Sequence, residues 1–226
     1  MTNVLTKVRS RGSWTVRIRP IDFKENRIDK LGALVDAVRN AHVELRGWDF
    51  PHFSPKQDPR RTADYVEQDI DWEHYVELWR AYKSGQFISI CALHGDWRDQ
   101  SSLWPPYEGW KAGDTLGVED AIFRFVEIFE FAARWARAVP IGEEVSVECV
   151  LSGLKNRALT ISPRRGLSSN YDSSVNEFKW EQRYSTAVLF SAPRQNAISP
   201  SIKLLELFRW DATEEFIRDV QGELRA

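Results

Sequence analysis

Tyr75-Val76-Glu77-Leu78-Trp79-Arg80-Ala81-Tyr82-Lys83-Ser84-Gly85-Gln86-Phe87-Ile88-Ser89-Ile90-Cys91-Ala92-Leu93 admits two readings, and the choice between them decides the fold. Tyr75, Leu78, Trp79 and Tyr82 fit the three- and four-residue steps of a helix. Against that, Lys83-Ser84-Gly85-Gln86 is a turn signal, and Phe87 to Leu93 is a strongly β run. Val76, Leu78, Arg80 and Tyr82 alternate along the arm before the turn, so the stretch reads as a β-hairpin.

Working outward, Trp14 to Arg19 alternates apolar and polar residues up to Pro20, as a half-buried strand does. Ile28, Leu31, Leu34, Val35, Val38, Ala41, His42 and Leu45 form one face of an amphipathic helix stopped at Gly47. Pro51 then holds Phe50 extended, making a sharp corner over Arg46-Gly47-Trp48-Asp49-Phe50-Pro51-His52-Phe53. Ser54 to Arg61 reads as an exposed loop. His94 to Asp114 has no period and reads as a long loop, a kind of segment that is often functional.

Downstream, Gly117 to Val139 is the surest helix. Asp120, Arg124, Glu127, Glu130, Arg134 and Arg137 make one narrow polar stripe on it, with Asp120–Arg124 and Glu130–Arg134 spaced as i,i+4 pairs. The rest of it is apolar, which predicts a helix laid across a sheet. Glu144 to Leu151 and Ala158 to Ile161 read as a second hairpin around Gly153 to Asn156. Trp180 to Phe190 reads as a last strand, followed by two short helices capped at Ser199-Pro200 and at Asp211 with Glu214. The prediction is a single α+β domain over 1–226. Its mostly antiparallel or mixed sheet has about six strands, two main helices and two short C-terminal ones. The halves near 1–116 and 117–226 each hold a helix and a hairpin, a pseudo-symmetry without matching sequence.

The chain has 226 residues, 42% hydrophobic and 28% charged, an ordinary globular composition. Ten Trp and twelve Phe predict an aromatic-rich core. A net charge of −2 gives no general pull toward nucleic acid or anionic membrane. Charge is nevertheless uneven: Lys7 to Lys30 is basic, and Asp64 to Glu77 carries acids without Lys or Arg, which reads first as two solvated surfaces. Cys91 and Cys149 lie in apolar runs as small buried hydrophobes. No long apolar stretch or secretion signal is present, which predicts a cytoplasmic protein with no membrane.

Three constellations could carry function. Asp49 and His52 at the corner, with His94 and Asp96 at the hairpin's end, could ligate zinc or iron or form an acid/base pair. Their spacing matches no metalloenzyme signature, and histidines hydrogen-bonded in turns with aspartates capping amides are the plainer reading. Trp48, Trp79, Trp97, Trp104 and Trp110 lie among Arg46, Arg80, Arg98 and Lys111, a set suited to flat or proline-rich ligands or to a satellite core under the long loop. Arg157 with Arg164-Arg165-Gly166 and Ser168-Ser169-Asn170 could meet phosphate or simply be a solvated loop. No phosphate-cradling glycine motif and no G-x-S-x-G elbow occurs.

At Arg46-Gly47-Trp48-Asp49-Phe50-Pro51-His52 and at Trp79-Arg80-Ala81-Tyr82-Lys83-Ser84-Gly85-Gln86-Phe87 the chain resembles a family of bacterial proteins with no known activity. The resemblance implies only that the two segments belong to one structural feature. The leading expectation is a non-enzymatic binding or regulatory module for a protein partner or small ligand. It would use Arg46, Trp48, Arg80, Trp97 and Trp104 around an aromatic groove, with no cofactor and no resident metal. The alternatives are a metal-assisted phosphate-ester hydrolase using Asp49, His52, His94 and Asp96, and a nucleic-acid-binding accessory protein using Lys7 to Lys30.

Overall fold

Trp14, Val16 and Ile18 are buried while Thr15, Arg17 and Arg19 on the same strand are not, the period-two pattern of a sheet with one packed face. In the computed structural model, which describes residues 3–98 and 111–224, that strand, β1 (Ser13–Pro20), lies between β5 (Phe87–Ala92) and β7 (Glu144–Ser152). The whole sheet is antiparallel and seven-stranded, in the order β2-β3-β4-β5-β1-β7-β9. Its other members are β2 (Arg60–Arg61), β3 (Tyr65–Trp72), β4 (Tyr75–Tyr82) and β9 (Glu177–Ser185). The decisive stretch is therefore the β4–β5 hairpin, with Gly85 at φ +84°, a left-handed turn conformation that glycine adopts without strain.

One sheet face is covered by α3 (Val118–Ala138), which runs across it and meets α2 (Leu31–Ala41). Aromatic side chains lock the layer. Phe125 meets Trp14 edge-on at 5.1 Å, Phe131 meets Phe87 at 4.4 Å, and the indole N–H of Trp135 donates to the Gly85 carbonyl at 3.0 Å. The opposite face is split. Over β4 and β5 it is apolar, and Val4 and Val8 of α1 (Asn3–Arg9) cover Val76, Leu78, Ile90 and Ala92. Over β1, β7 and β9 it is polar, crossed by ion pairs such as Arg17–Glu148 (2.5 Å) and Lys179–Glu148 (3.0 Å).

Several boundaries differ from the sequence reading. The helix through Leu34 and Val38 ends at Ala41, because Val43 leaves it to bridge Phe50. The second hairpin does not form: β8 (Ala158–Thr160) pairs in parallel with β6 (Thr115–Gly117), and β7 takes β9 as its neighbour instead. The last strand stops at Ser185, whose hydroxyl caps the next helix by accepting from the Val188 amide. Four short helices follow: α4 (Thr186–Ser191), α5 (Pro193–Asn196), α6 (Ile198–Glu206) and α7 (Glu214–Gln221). Thr213, not Asp211, caps the last of them; Pro200 does sit in the first turn of α6, but Ser199 is inside that helix and does not cap it. No helix among the described residues is long and apolar enough to cross a membrane.

Candidate functional site

The corner folds back on the β4 strand. Val43 and Phe50 exchange backbone hydrogen bonds of 2.9 and 2.8 Å across a loop containing Gly47 at φ +86°. This drives Phe50 into the core against Phe131 and brings His52 to β4, where its carbonyl accepts from the Trp79 indole at 2.8 Å. Trp48 then lies flat between the rings of His52 (3.8 Å) and Tyr75 (3.6 Å). Tyr75 continues the ladder to His94 (4.5 Å), and His94 meets His74 (4.3 Å). Trp72 stacks on Trp48 at 5.6 Å and is 56% exposed. The corner and the hairpin are thus one feature.

Near the ladder is a charge network centred on the buried Glu127. The Arg46 Nε donates to Glu127 Oε1 and its Nη1 to Asp120 Oδ1, both at 2.7 Å, and Arg124 reaches Glu127 at 3.1 Å. Glu77 accepts from the Ser89 hydroxyl at 3.1 Å. Burial pushes the Glu77 carboxyl up to about 7, against the opposing pull of Arg124. Burial, reinforced by Arg98 and His74, holds the His94 imidazole down to about 3, so it is neutral at physiological pH.

Glu77 gives a pH prediction. Its unfolded value is 4.5 and its folded value about 7, so between those limits the folded chain binds more protons than the unfolded one. The associated stability is fully present below pH 4.5 and is lost as the pH rises through about 7. The loss is on the order of 3 kcal/mol at about 1.4 kcal/mol per pH unit. Urea melts of the wild type should weaken from pH 5 to pH 8 by more than those of Glu77→Gln. Parallel pH profiles for the two proteins would refute the assignment.

The sequence-derived site residues divide. Arg46 is taken up by Glu127 and Asp120, its side chain 25% exposed. Arg80 projects from the opposite sheet face, with Val76 and Leu78, and pairs with Glu67 at 2.6 Å, because adjacent strand residues face opposite sides. Asp49 holds His52 through its Nδ1. Trp48 and Tyr75 stand between the His52 and His94 rings. Trp97 packs against α1, under Lys7 and Arg11. Asp96 is buried against Arg157, with oxygens 2.6 and 2.5 Å from the guanidinium. The four residues of the metal alternative therefore do not share a site, and no group of three or more His, Cys, Asp or Glu among the described residues could hold a metal ion. Trp104 and Trp110 lie outside the described residues. Arg157 and Arg165 also part company, since Arg165 pairs with Asp219 and Glu223.

A concavity lies on the polar face of the sheet, beside β1 and β7. A cleft of about 780 Å³ is lined by Arg9, Arg11, Arg17 and Arg157 against two carboxylates, Asp96 and Glu177. Thr15, Ser13 and Asn176 add hydroxyl and amide groups. Its floor is built around Arg157, which satisfies both Asp96 oxygens and also donates to the carbonyls of Gly153 and Thr115. Gly12 crosses directly above: its amide donates to Asp96 at 2.9 Å, and a Cβ there would collide with the Arg157 guanidinium. Arg17 is paired with Glu148. Arg9 forms no ion pair among the described residues, and Arg11 lies over the Trp97 ring at 4.4 Å with Nη1 on the Asp96 carbonyl.

Sequence reasoning registered Arg9, Arg11 and Arg17 only as a basic segment. The available signal was the alternation Thr15, Arg17, Arg19, which places cations on the open face of β1. No protein-family model, curated protein or solved structure matches this chain.

Proposed function

We propose that the protein is a non-enzymatic binding module whose ligand is a small phosphate-bearing molecule seated in the polar-face cleft. The observation that carries this reading is that four arginines line the cleft against two carboxylates, with Arg9 making no ion pair among the described residues. Guanidinium groups suit phosphate because their forked donors match its oxygens and stay charged at every physiological pH. The cleft's volume falls within the range of small-molecule sites, roughly 300–1,000 Å³. Cys91 and Cys149, buried and free, suit a reducing compartment, and we place the protein in the cytoplasm.

Calorimetry with pyrophosphate and ATP tests this. Saturable one-to-one binding is expected, weakened at least roughly tenfold by Arg9→Glu, a loss of about 1.4 kcal/mol. The exposed Arg61→Ala should bind as the wild type does. Absence of saturable binding, binding indifferent to Arg9→Glu, or binding only to long DNA with a steep salt dependence would each overturn the proposal.

A second reading concerns the aromatic ladder, where the exposed Trp72 indole lies over Trp48. A large ring left in water on a stacked platform suits a protein partner, because aromatic anchors dominate such interfaces.

A further inference from the structure

We propose that the protein self-associates through β9, joining two copies into one continuous antiparallel sheet. The two ends of the sheet differ. One is β2, only two residues long, a length that leaves little edge to pair with. The other is β9, nine residues long, registered with β7 without interruption from Glu177 to Ser185. It contains no proline and no bulge, two of the devices that block an edge, and its charges are the only such device left.

The charges on β9 are complementary to themselves. Glu177, Lys179, Glu181 and Arg183 share the polar face. A two-fold axis at Trp180 sets two copies antiparallel, with Trp180 facing Trp180. Lys179 then faces Glu181 of the second copy, and Glu177 faces Arg183 of the second copy. Each pairing occurs twice by symmetry, so all four charged positions meet an opposite charge. Moving the axis one residue along either way fails in charge. Centred on Glu181, that residue faces itself and Lys179 faces Arg183; centred on Lys179, that residue faces itself and Glu177 faces Glu181. The pattern thus selects one register over its neighbours.

Within the chain, Lys179 and Glu181 already have partners in Glu148 and Arg19. Arg183 is exposed and makes no ion pair among the described residues, while Glu177 accepts only the Ser152 hydroxyl at 3.2 Å. These two are the residues a second copy would engage.

Sedimentation velocity on the full chain tests the inference. The wild type is expected to form a species of twice 26.2 kDa. Arg183→Glu and Glu177→Arg should each weaken dimerisation at least roughly tenfold, because each places like charges face to face. An equimolar mixture of the two variants should recover the dimer. One copy then carries acids at both positions 177 and 183, the other carries bases at both, and every facing pair is again opposite in charge. Recovery in the mixture separates lost pairing from misfolding. A wild type that stays monomeric at high micromolar concentration, single variants that dimerise as the wild type does, or a mixture that stays monomeric would each overturn the inference.

Discussion

Arg157→Ala is expected to remove roughly 3–5 kcal/mol of stability, the usual cost of leaving a buried charge without its partner. The side chains of Arg157 and Asp96 are 3% and 2% exposed, so water cannot replace either one. The guanidinium also donates to the Gly153 and Thr115 carbonyls, so the substitution removes hydrogen bonds from two segments at once. At about 2–4 °C per kcal/mol for a chain of this size, melting should fall by roughly 10 °C. The double variant Asp96→Leu/Arg157→Leu should lose much less than the sum of the single losses, because it removes both charges together. A single variant that melts with the wild type would show that the pair does not organise the cleft floor.

Trp79→Ala should cost about as much, roughly 3–5 kcal/mol, by a different mechanism. Trp79 is fully buried, 5.1 Å from the Phe53 ring, and its N–H holds the His52 carbonyl. Truncation leaves a ring-sized cavity and frees the corner from the hairpin. Trp79→Phe keeps most of the volume but leaves the carbonyl unpaired, for a smaller loss of about 1–3 kcal/mol. Both variants should raise proteolytic cleavage between residues 42 and 59, with the alanine variant the more sensitive. Destabilisation without added cleavage there would mean that the corner is held by something other than Trp79.

Much of the framework was legible from local pattern. The β4–β5 hairpin, β1 and α3 followed from periodicity and turn chemistry, since each carries its own complete signal. The β3 strand was overlooked although Val66, Gln68, Ile70 and Trp72 alternate with Glu67, Asp69 and Asp71, because the density of acids suggested a solvated surface. In the fold those acids meet Arg60, Arg80 and Lys7. The polar stripe of α3 was visible, but its partners were not. Arg124 turns to Glu127, Arg134 donates to the His42 carbonyl, and Asp120 and Glu127 receive Arg46.

The corner's attachment to the hairpin was anticipated, but the location of the concavity was not. The corner packs into a solid ring ladder, because its aromatics fit one another better than they fit water. The cleft is assembled from the end of α1, β1, the turn after β5, the segment before β6 and the loops flanking β7 and β9. No short motif encodes such a convergence. It appears only once strand order places β1 beside β7.

That same strand order governs how the chain must come together during synthesis. β1 emerges well before its two neighbours, which end at Ala92 and at Ser152. Until then Trp14, Val16 and Ile18 have one flank unsatisfied, and the growing polypeptide carries an adhesive ribbon that nothing downstream has yet reached. Long-range pairing of this kind makes for slow folding and a long interval open to aggregation, and such a chain gains from chaperone protection while still on the ribosome.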